Sequence, residues 1–175
     1  ECNSMGFLVD PKTAMVWRAP MIISAFNQIL IDTLWSSLDY LIIDMPPGTG
    51  DIQLSLAQNI AVSGALIVTT PQDLALADVR RGVEMFNKVG IPIIGVVENM
   101  SVHVCSKCGH KEAVFGTGGA DKLALDYGID VIERVPLDIR IREQTDQGLP
   151  VVASPDLNNV GASYMSLTKS LHSIV

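Results

Sequence analysis

Runs of isoleucine and valine that are apolar on both faces constrain the fold of this 175-residue chain more than any other feature. Central strands of a parallel sheet, covered by helices on both sides, have this pattern. Segments with helical spacing of apolar residues separate the runs, which predicts right-handed βαβ units. We therefore expect an α/β fold with a mostly parallel sheet and helices on both faces. The predicted strands are residues 5–9, 40–44, 65–69, 91–97 and 131–135.

Composition and charge limit the classes of partner. The formal net charge is −7 and no basic run occurs, which argues against binding to nucleic acid or to an anionic membrane. Hydrophobic residues make up 48% of the chain, which is enough for a folded core. The apolar runs are far shorter than the roughly 20 residues that span a bilayer. Three cysteines and no recognisable targeting signal favour a reducing compartment such as the cytoplasm.

An aspartate at the end of a predicted strand is a candidate magnesium ligand. Asp44 follows four apolar residues and precedes the string Met-Pro-Pro-Gly-Thr-Gly-Asp, which ends at Asp51. Ligands of open α/β sheets bind beyond the carboxyl ends of the strands, where Gly48 and Gly50 let backbone N–H groups approach a phosphate. Ordinary turn capping by Asp44 is the alternative, but the string is longer than most turns.

A Cys-x-x-Cys pair, Cys105 and Cys108, is the strongest candidate for a metal site. Two thiolates at this spacing reach one metal, but zinc takes four ligands and an iron–sulfur cluster usually takes four cysteines. His103 and His110 could complete a zinc site, or a second chain could supply a matching pair across a two-fold axis. Redox activity and a pair of unligated thiols are further alternatives, and Cys2 is expected to be a buried hydrophobe.

Other residues after the predicted strands are candidates for contacts with a base. The side-chain amide of Asn99 both donates and accepts hydrogen bonds, as the edge of a purine requires, although turns also favour this residue. Pro136 closes the last predicted strand, near the place where a base would lie. The cysteine pair falls in a segment, roughly 101–117, that we expect to be a long loop, and such loops are often functional.

Together these strings resemble the Mrp/ApbC family of iron–sulfur cluster carrier ATPases, which are P-loop proteins related to MinD. The resemblance covers nearly the whole chain and implies a P-loop NTPase (SIMIBI/MinD-like) fold. The order of the Pro-Pro-Gly-Thr-Gly-Asp, Asn-Met and Cys-x-x-Cys strings is specific to that family. The matching strings are residues 5–8, 16–18, 44–51, 70–73, 97–101, 105–110, 115–119 and 141–143.

The resemblance implies a nucleotide role for one group of residues. Asp44 would be the magnesium-side acid of the Walker B strand. The stretch from Gly48 to Asp51 would be the switch that senses the γ-phosphate of ATP. Asn99 would read the adenine. Asp44, Gly48 and Asp51 are therefore the predicted catalytic residues, and Asn99 and Pro136 the predicted cofactor-binding residues.

The resemblance also implies a cargo. Cys105 and Cys108 would be ligands of a [4Fe–4S] cluster that bridges a homodimer, and the intact protein would be an ATP hydrolase that passes the cluster to apo iron–sulfur proteins. Mg-ATP would order the switch and change the arrangement of the dimer. The alternative is a zinc-stabilised, MinD-like positioning or scaffold protein.

The family's phosphate-binding string, Gly-Lys-Gly-Gly-Val-Gly-Lys-Ser/Thr, does not occur in this sequence. We therefore expect residues 1–175 to be an N-terminally truncated part of one P-loop ATPase domain. Alone, this part is expected neither to hold ATP tightly nor to hydrolyse it. We expect the protein in the cytoplasm, or in an organelle if a presequence has been removed.

Overall fold

A computed structural model describes residues 1–8, 19–45, 53–55, 60–154 and 158–175 of the chain. The chain divides into two compact units, Glu1–Ala61 and Val62–Val175. No helix within the described ranges combines the length and the apolar character that crossing a bilayer requires.

The first unit contains helix α1 (Ala19–Ile31), and residues 53–55 are also helical. The predicted strand at residues 5–9 is wrong for the residues described, because Met5–Phe7 form a single 3-10 turn. The Ser4 side chain accepts a hydrogen bond from the Gly6 N–H at 3.2 Å and starts the turn. Such capping competes with strand pairing. Phe7 in this turn is 70% exposed.

The predicted strand at residues 40–44 is also wrong, because residues 40–45 have no regular secondary structure. An apolar run becomes a strand only when a neighbouring strand satisfies its backbone groups. None of the ladders between described residues includes this run. Ile42 is 88% exposed, so Asp44 follows an apolar segment that is not part of the sheet.

The second unit is built on a sheet of four strands, in which β2 is central. Strands β1 (Ala65–Thr69) and β2 (Ile93–Val104) are parallel, and β4 (Val131–Leu137) pairs in parallel with the other side of β2. The two-residue strand β3 (Lys111–Glu112) is antiparallel to the end of β2. The predicted parallel α/β arrangement is therefore confirmed.

Helices follow the strands, as the pattern predicts. They are α2 (Asp73–Lys88), α3 (Gly119–Tyr127), α4 (Ile139–Asp146) and α5 (Asn158–Ile174). Residues Val151–Ala153 form a 3-10 turn against which α5 packs, and α5 also contacts β4. Helices α2 and α3 bury their apolar faces on β1 and β2. The resulting core consists of Ile67, Leu76, Val83, Val96, Ala120 and Leu123.

Strand β2 is longer than predicted and carries the most important correction to the sequence analysis. It was expected to end at Val97, but it continues to Val104. The additional residues pair with β4 and with β3. Several of them are polar, so their sequence does not predict this pairing. The segment 101–117 is therefore not simply a loop: it starts with the end of β2 and contains β3.

Candidate functional site

The cysteine pair lies in the tight turn of the hairpin formed by β2 and β3. The Cys105 N–H donates to the His110 carbonyl at 2.9 Å, and the Gly109 N–H donates to the Cys105 carbonyl at the same distance. Gly109 has a φ of 71°, a left-handed conformation that glycine adopts without steric cost. These bonds close the turn that carries the two cysteines.

Both thiols of the pair are accessible for chemistry. Cys105 is half-buried, Cys108 is exposed, and all three cysteines of the chain, Cys2 included, are free; Cys2 is exposed rather than buried as expected. The pKa of Cys105 is lowered by the backbone N–H of Lys107, then by the N–H and the side chain of Cys108. Because the thiolate is the form that binds metals, the turn favours ligation by Cys105.

The two histidines of this segment do not join the cysteines in a four-ligand set. The Nδ1 atom of His103 is 3.2 Å from the Leu137 carbonyl oxygen on β4. His110 is exposed at the turn. Across the described residues, no three His, Cys, Asp or Glu side chains are grouped so that they could hold a metal ion. The site that the hairpin offers is therefore a pair of thiols.

The predicted base-contacting residues lie on adjacent parallel strands. Asn99 pairs with Val135, and Pro136 is the next residue on β4. Asn99 lies within β2 rather than after its end, which corrects the expected position, and both residues are half-buried. The Asn99 Oδ1 accepts a hydrogen bond from the Met100 N–H at 3.0 Å. This bond holds the amide plane beside the backbone of β2.

The predicted catalytic residues belong to the first unit. Asp44 is exposed, and it is not at the end of a strand as expected. Gly48 and Asp51 lie outside the described residues, so their assignments stay predictions.

Sequence reasoning missed a buried carboxylate, Glu98, which is 3% exposed. Its Oε2 atom accepts a hydrogen bond from the Ala120 N–H at 2.9 Å, at the first turn of α3. Its Oε1 atom is 3.5 Å from Nε of Arg134 on β4, and Arg134 also pairs with Asp121. An acidic residue directly after the apolar run 91–97 was the signal that could have revealed it. Glu98 thus joins β2, α3 and β4.

A cleft of about 580 Å³ opens above this carboxylate and extends toward the hairpin. Glu98, Arg134 and Pro136 line it, and so does Lys111 of β3. The cleft therefore connects the end of the sheet with the hairpin that carries the thiols.

Known proteins resemble this chain along almost its full length. A family profile described as ParA, NUBPL iron-transfer P-loop NTPase, matches residues 1–172. The iron-sulfur cluster carrier protein of Haemophilus influenzae is 54% identical over 171 residues, which are 98% of this chain and 46% of that protein. The iron-sulfur cluster transfer protein NUBPL of Mus musculus is 50% identical over 170 residues, 97% of this chain and 53% of that protein. The chain thus spans about half the length of the curated relatives it matches.

Solved structures agree with the fold. A nucleotide-binding protein from Archaeoglobus fulgidus, solved in complex with ADP, has a TM-score of 0.67 and 37% identity, covering 79% of this chain and 57% of that one. The cell division ATPase MinD from Pyrococcus furiosus has a TM-score of 0.51 at 22% identity, covering 65% of this chain and 44% of that one. The fold is therefore that of MinD-like P-loop NTPases.

Proposed function

Since this chain belongs to the ParA/NUBPL iron-transfer family of P-loop NTPases, we propose that it is the cluster-bearing part of an iron–sulfur cluster carrier. Its cargo is a [4Fe–4S] cluster that the intact protein delivers to apo iron–sulfur proteins. The bacterial and mouse relatives are named as iron-sulfur cluster carrier and transfer proteins, which supports this proposal.

The observation that carries the proposal is the accessible thiol pair at the hairpin turn, with the pKa of Cys105 lowered by N–H groups of that turn, Lys107 first. A [4Fe–4S] cluster takes four thiolates, and the turn supplies Cys105 and Cys108. A second copy related by a two-fold axis supplies the other two, which makes the carrier a homodimer. Ligands at an exposed turn suit a cargo, because an acceptor thiolate can approach them.

The nucleotide part of the proposal concerns the intact protein, an ATP hydrolase. Asp44, an exposed carboxylate, suits a contact to magnesium or its water ligands, and Gly48 and Asp51 complete the phosphate-sensing switch. The amide of Asn99, oriented by its bond to Met100, and the neighbouring Pro136 form the contact to adenine. Bound Mg-ATP orders the switch, changes the arrangement of the dimer and so changes access to the cluster.

The location of the carrier follows from its chemistry. Free thiols that must ligate a cluster need a reducing compartment, so we propose the cytoplasm or the interior of an organelle.

The test is anaerobic reconstitution of the intact protein with iron and sulfide. We expect the wild type to bind about four iron atoms per dimer with the absorption of a [4Fe–4S] cluster. Cys105→Ala and Cys108→Ala should each lose that absorption, because the pair is the only ligand set the hairpin offers. Cys2→Ala is the matched control, an exposed cysteine of the other unit, and should keep it.

Two results would overturn the proposal. The first is retention of the full cluster spectrum by both hairpin variants. The second is one zinc per chain and no iron in protein purified without oxygen, with zinc lost in His103→Ala and His110→Ala. That result would identify the zinc-stabilised, MinD-like scaffold instead.

A further inference from the structure

The ladder between β2 and β4 is interrupted directly before the cysteine hairpin. Asn99 pairs with Val135 and His103 pairs with Leu137, so β2 advances four residues where β4 advances two. Met100, inside this bulge, has a φ of 56°. A left-handed backbone is uncommon for a residue other than glycine and persists only where its surroundings fix it. The bulge is therefore held by specific contacts.

Two side chains of β2 provide those contacts. Ser101 Oγ donates to the Val135 carbonyl at 3.2 Å, and His103 Nδ1 lies 3.2 Å from the Leu137 carbonyl oxygen. Because a carbonyl oxygen only accepts, Nδ1 of His103 carries the proton and donates. Both acceptors belong to residues that border the interruption of the ladder. Side-chain donors thus bridge the stretch in which backbone pairing is irregular.

His103 is also the residue at which three strands meet. It pairs with Glu112 of β3 on one side and with Leu137 of β4 on the other. Beyond it, Cys105 is held by the backbone bonds of the turn itself. Movement at His103 would therefore carry the whole turn, and both thiols, with it.

We propose that Ser101 and His103 are positioning residues that anchor the hairpin to β4 and so fix where Cys105 and Cys108 stand. We call their two side-chain bonds the latch. This inference rests on the proposed function, which gives the reason for positioning the thiols. A cluster shared by two subunits requires the thiol pairs of both subunits to be aligned with each other. Under this proposal, His103 forms a hydrogen bond to the backbone of β4 and is not a metal ligand.

Substitutions at His103 separate these two roles. Asn in place of His103 keeps an N–H donor near the position of Nδ1 but has no counterpart of Nε2, the nitrogen left for a metal. Ala removes both. Ser101→Ala removes the second bond of the latch. His110→Ala is the matched control, an exposed histidine of the same turn whose carbonyl bond to Cys105 survives the change.

The first measurement is amide hydrogen exchange of Cys105 in this chain without metal. We expect exchange about five- to tenfold faster in His103→Ala and Ser101→Ala, the effect of losing one hydrogen bond, and unchanged exchange in His103→Asn and His110→Ala. Unchanged exchange in both Ala variants would overturn the latch. This readout needs no cluster, so it is independent of the proposed function.

The second measurement is binding of Co²⁺, as a thiolate probe, and of the reconstituted cluster in the intact protein. We expect about tenfold weaker Co²⁺ binding in His103→Ala and retention of affinity and cluster spectrum in His103→Asn. Equal loss in both variants would overturn the inference and make His103 a ligand. Failure of the proposed function looks different: Cys105→Ala and Cys108→Ala would keep the cluster while the exchange results stand.

Discussion

The first half of β2, residues 93–98, and its second half, residues 99–104, are held in place by different means. In the first half the strand pairs with β1 and β4 on its two sides, and Val96 and Val97 are 0% and 3% exposed. In the second half every residue is half-buried, and the ladder with β4, which also shifts register between Val96 and Val97, contains the bulge in which four residues of β2 oppose two of β4. Packing fixes the buried half, whereas a few hydrogen bonds fix the half that leads to the thiols.

This difference separates stability from function within one strand. Close packing gives many small contacts that no single substitution removes, so the buried half stays in place. A segment held by few bonds has a smaller local free energy of opening. Such a segment suits a hairpin that we propose to load and release a cargo, because its position can be adjusted without unfolding the sheet.

The largest expected effect is that of Gly95→Ala in the buried half. A Cβ atom there would lie 2.5 Å from Cγ1 of Ile132 and 2.8 Å from the backbone oxygen of Asp130, and the φ of 157° is unfavourable for other residues. We expect urea unfolding to show a free energy of unfolding lower by about 2–3 kcal/mol.

Gly82→Ala is the matched control for that substitution. Gly82 lies within helix α2 and has no atom within 4 Å of an added Cβ. Its replacement should raise the free energy of unfolding by about 0.5–1 kcal/mol, since alanine favours the helix. Equal, small effects at both glycines would mean that the first half of β2 is not closely packed.

A smaller effect is expected for Glu98, where the two halves of β2 meet. In Glu98→Ala the buried Ala120 N–H loses its acceptor, which we expect to lower the free energy of unfolding by about 2 kcal/mol. Glu98→Gln keeps an acceptor and should cost about half as much.

The control for Glu98 is Glu112→Ala, at an exposed carboxylate of β3, which should leave the urea midpoint unchanged. If Glu98→Gln were as damaging as Glu98→Ala, the ion pair with Arg134 would matter more than the hydrogen bond to α3.

The same comparison explains what the sequence could predict. The strand at 65–69, the strand at 131–135, which continues to Leu137, and the first half of β2 were predicted from their β-branched apolar residues, of which Ile67, Val96 and Val135 are buried. Gly118 and Gly128 lie at the two ends of α3, where both have a positive φ that glycine adopts readily. The run at residues 40–44 has the same apolar character, yet it is not a strand, since strand formation depends on a partner that the run itself does not encode.

The second half of β2 was beyond prediction for the opposite reason. Asn99, Ser101 and His103 are polar and were expected after the strand, but the partners that keep them in β2 are carbonyl groups and strands distant in sequence. The spacing of Cys105 and Cys108 revealed a candidate ligand pair. It did not reveal the hairpin or the bonds that orient it, because those depend on backbone contacts.

The smallest expected effect is a pH dependence of the free energy of unfolding, which arises at the end of β4. Asp138 follows Leu137, and hydrogen bonds from Arg140 lower the pKa of its carboxyl group, with His103 lowering it further. The native carboxylate therefore holds protons less readily than the unfolded one, whose pKa is about 3.9. Its contribution to stability is complete above that value and is lost as the pH falls through the lower native pKa.

The wild type should therefore lose more stability than Asp138→Asn between pH 6 and pH 3, by less than about 1 kcal/mol because Arg140 is 38% exposed. Urea unfolding of both proteins at several pH values measures the difference, which should shrink as the pH falls. Asp146→Asn, which breaks an ion pair exposed on both sides, is the control and should show almost no such change. A difference that stays constant with pH would mean that Asp138 holds the end of β4 through its shape and its cap on α4, not through its charge.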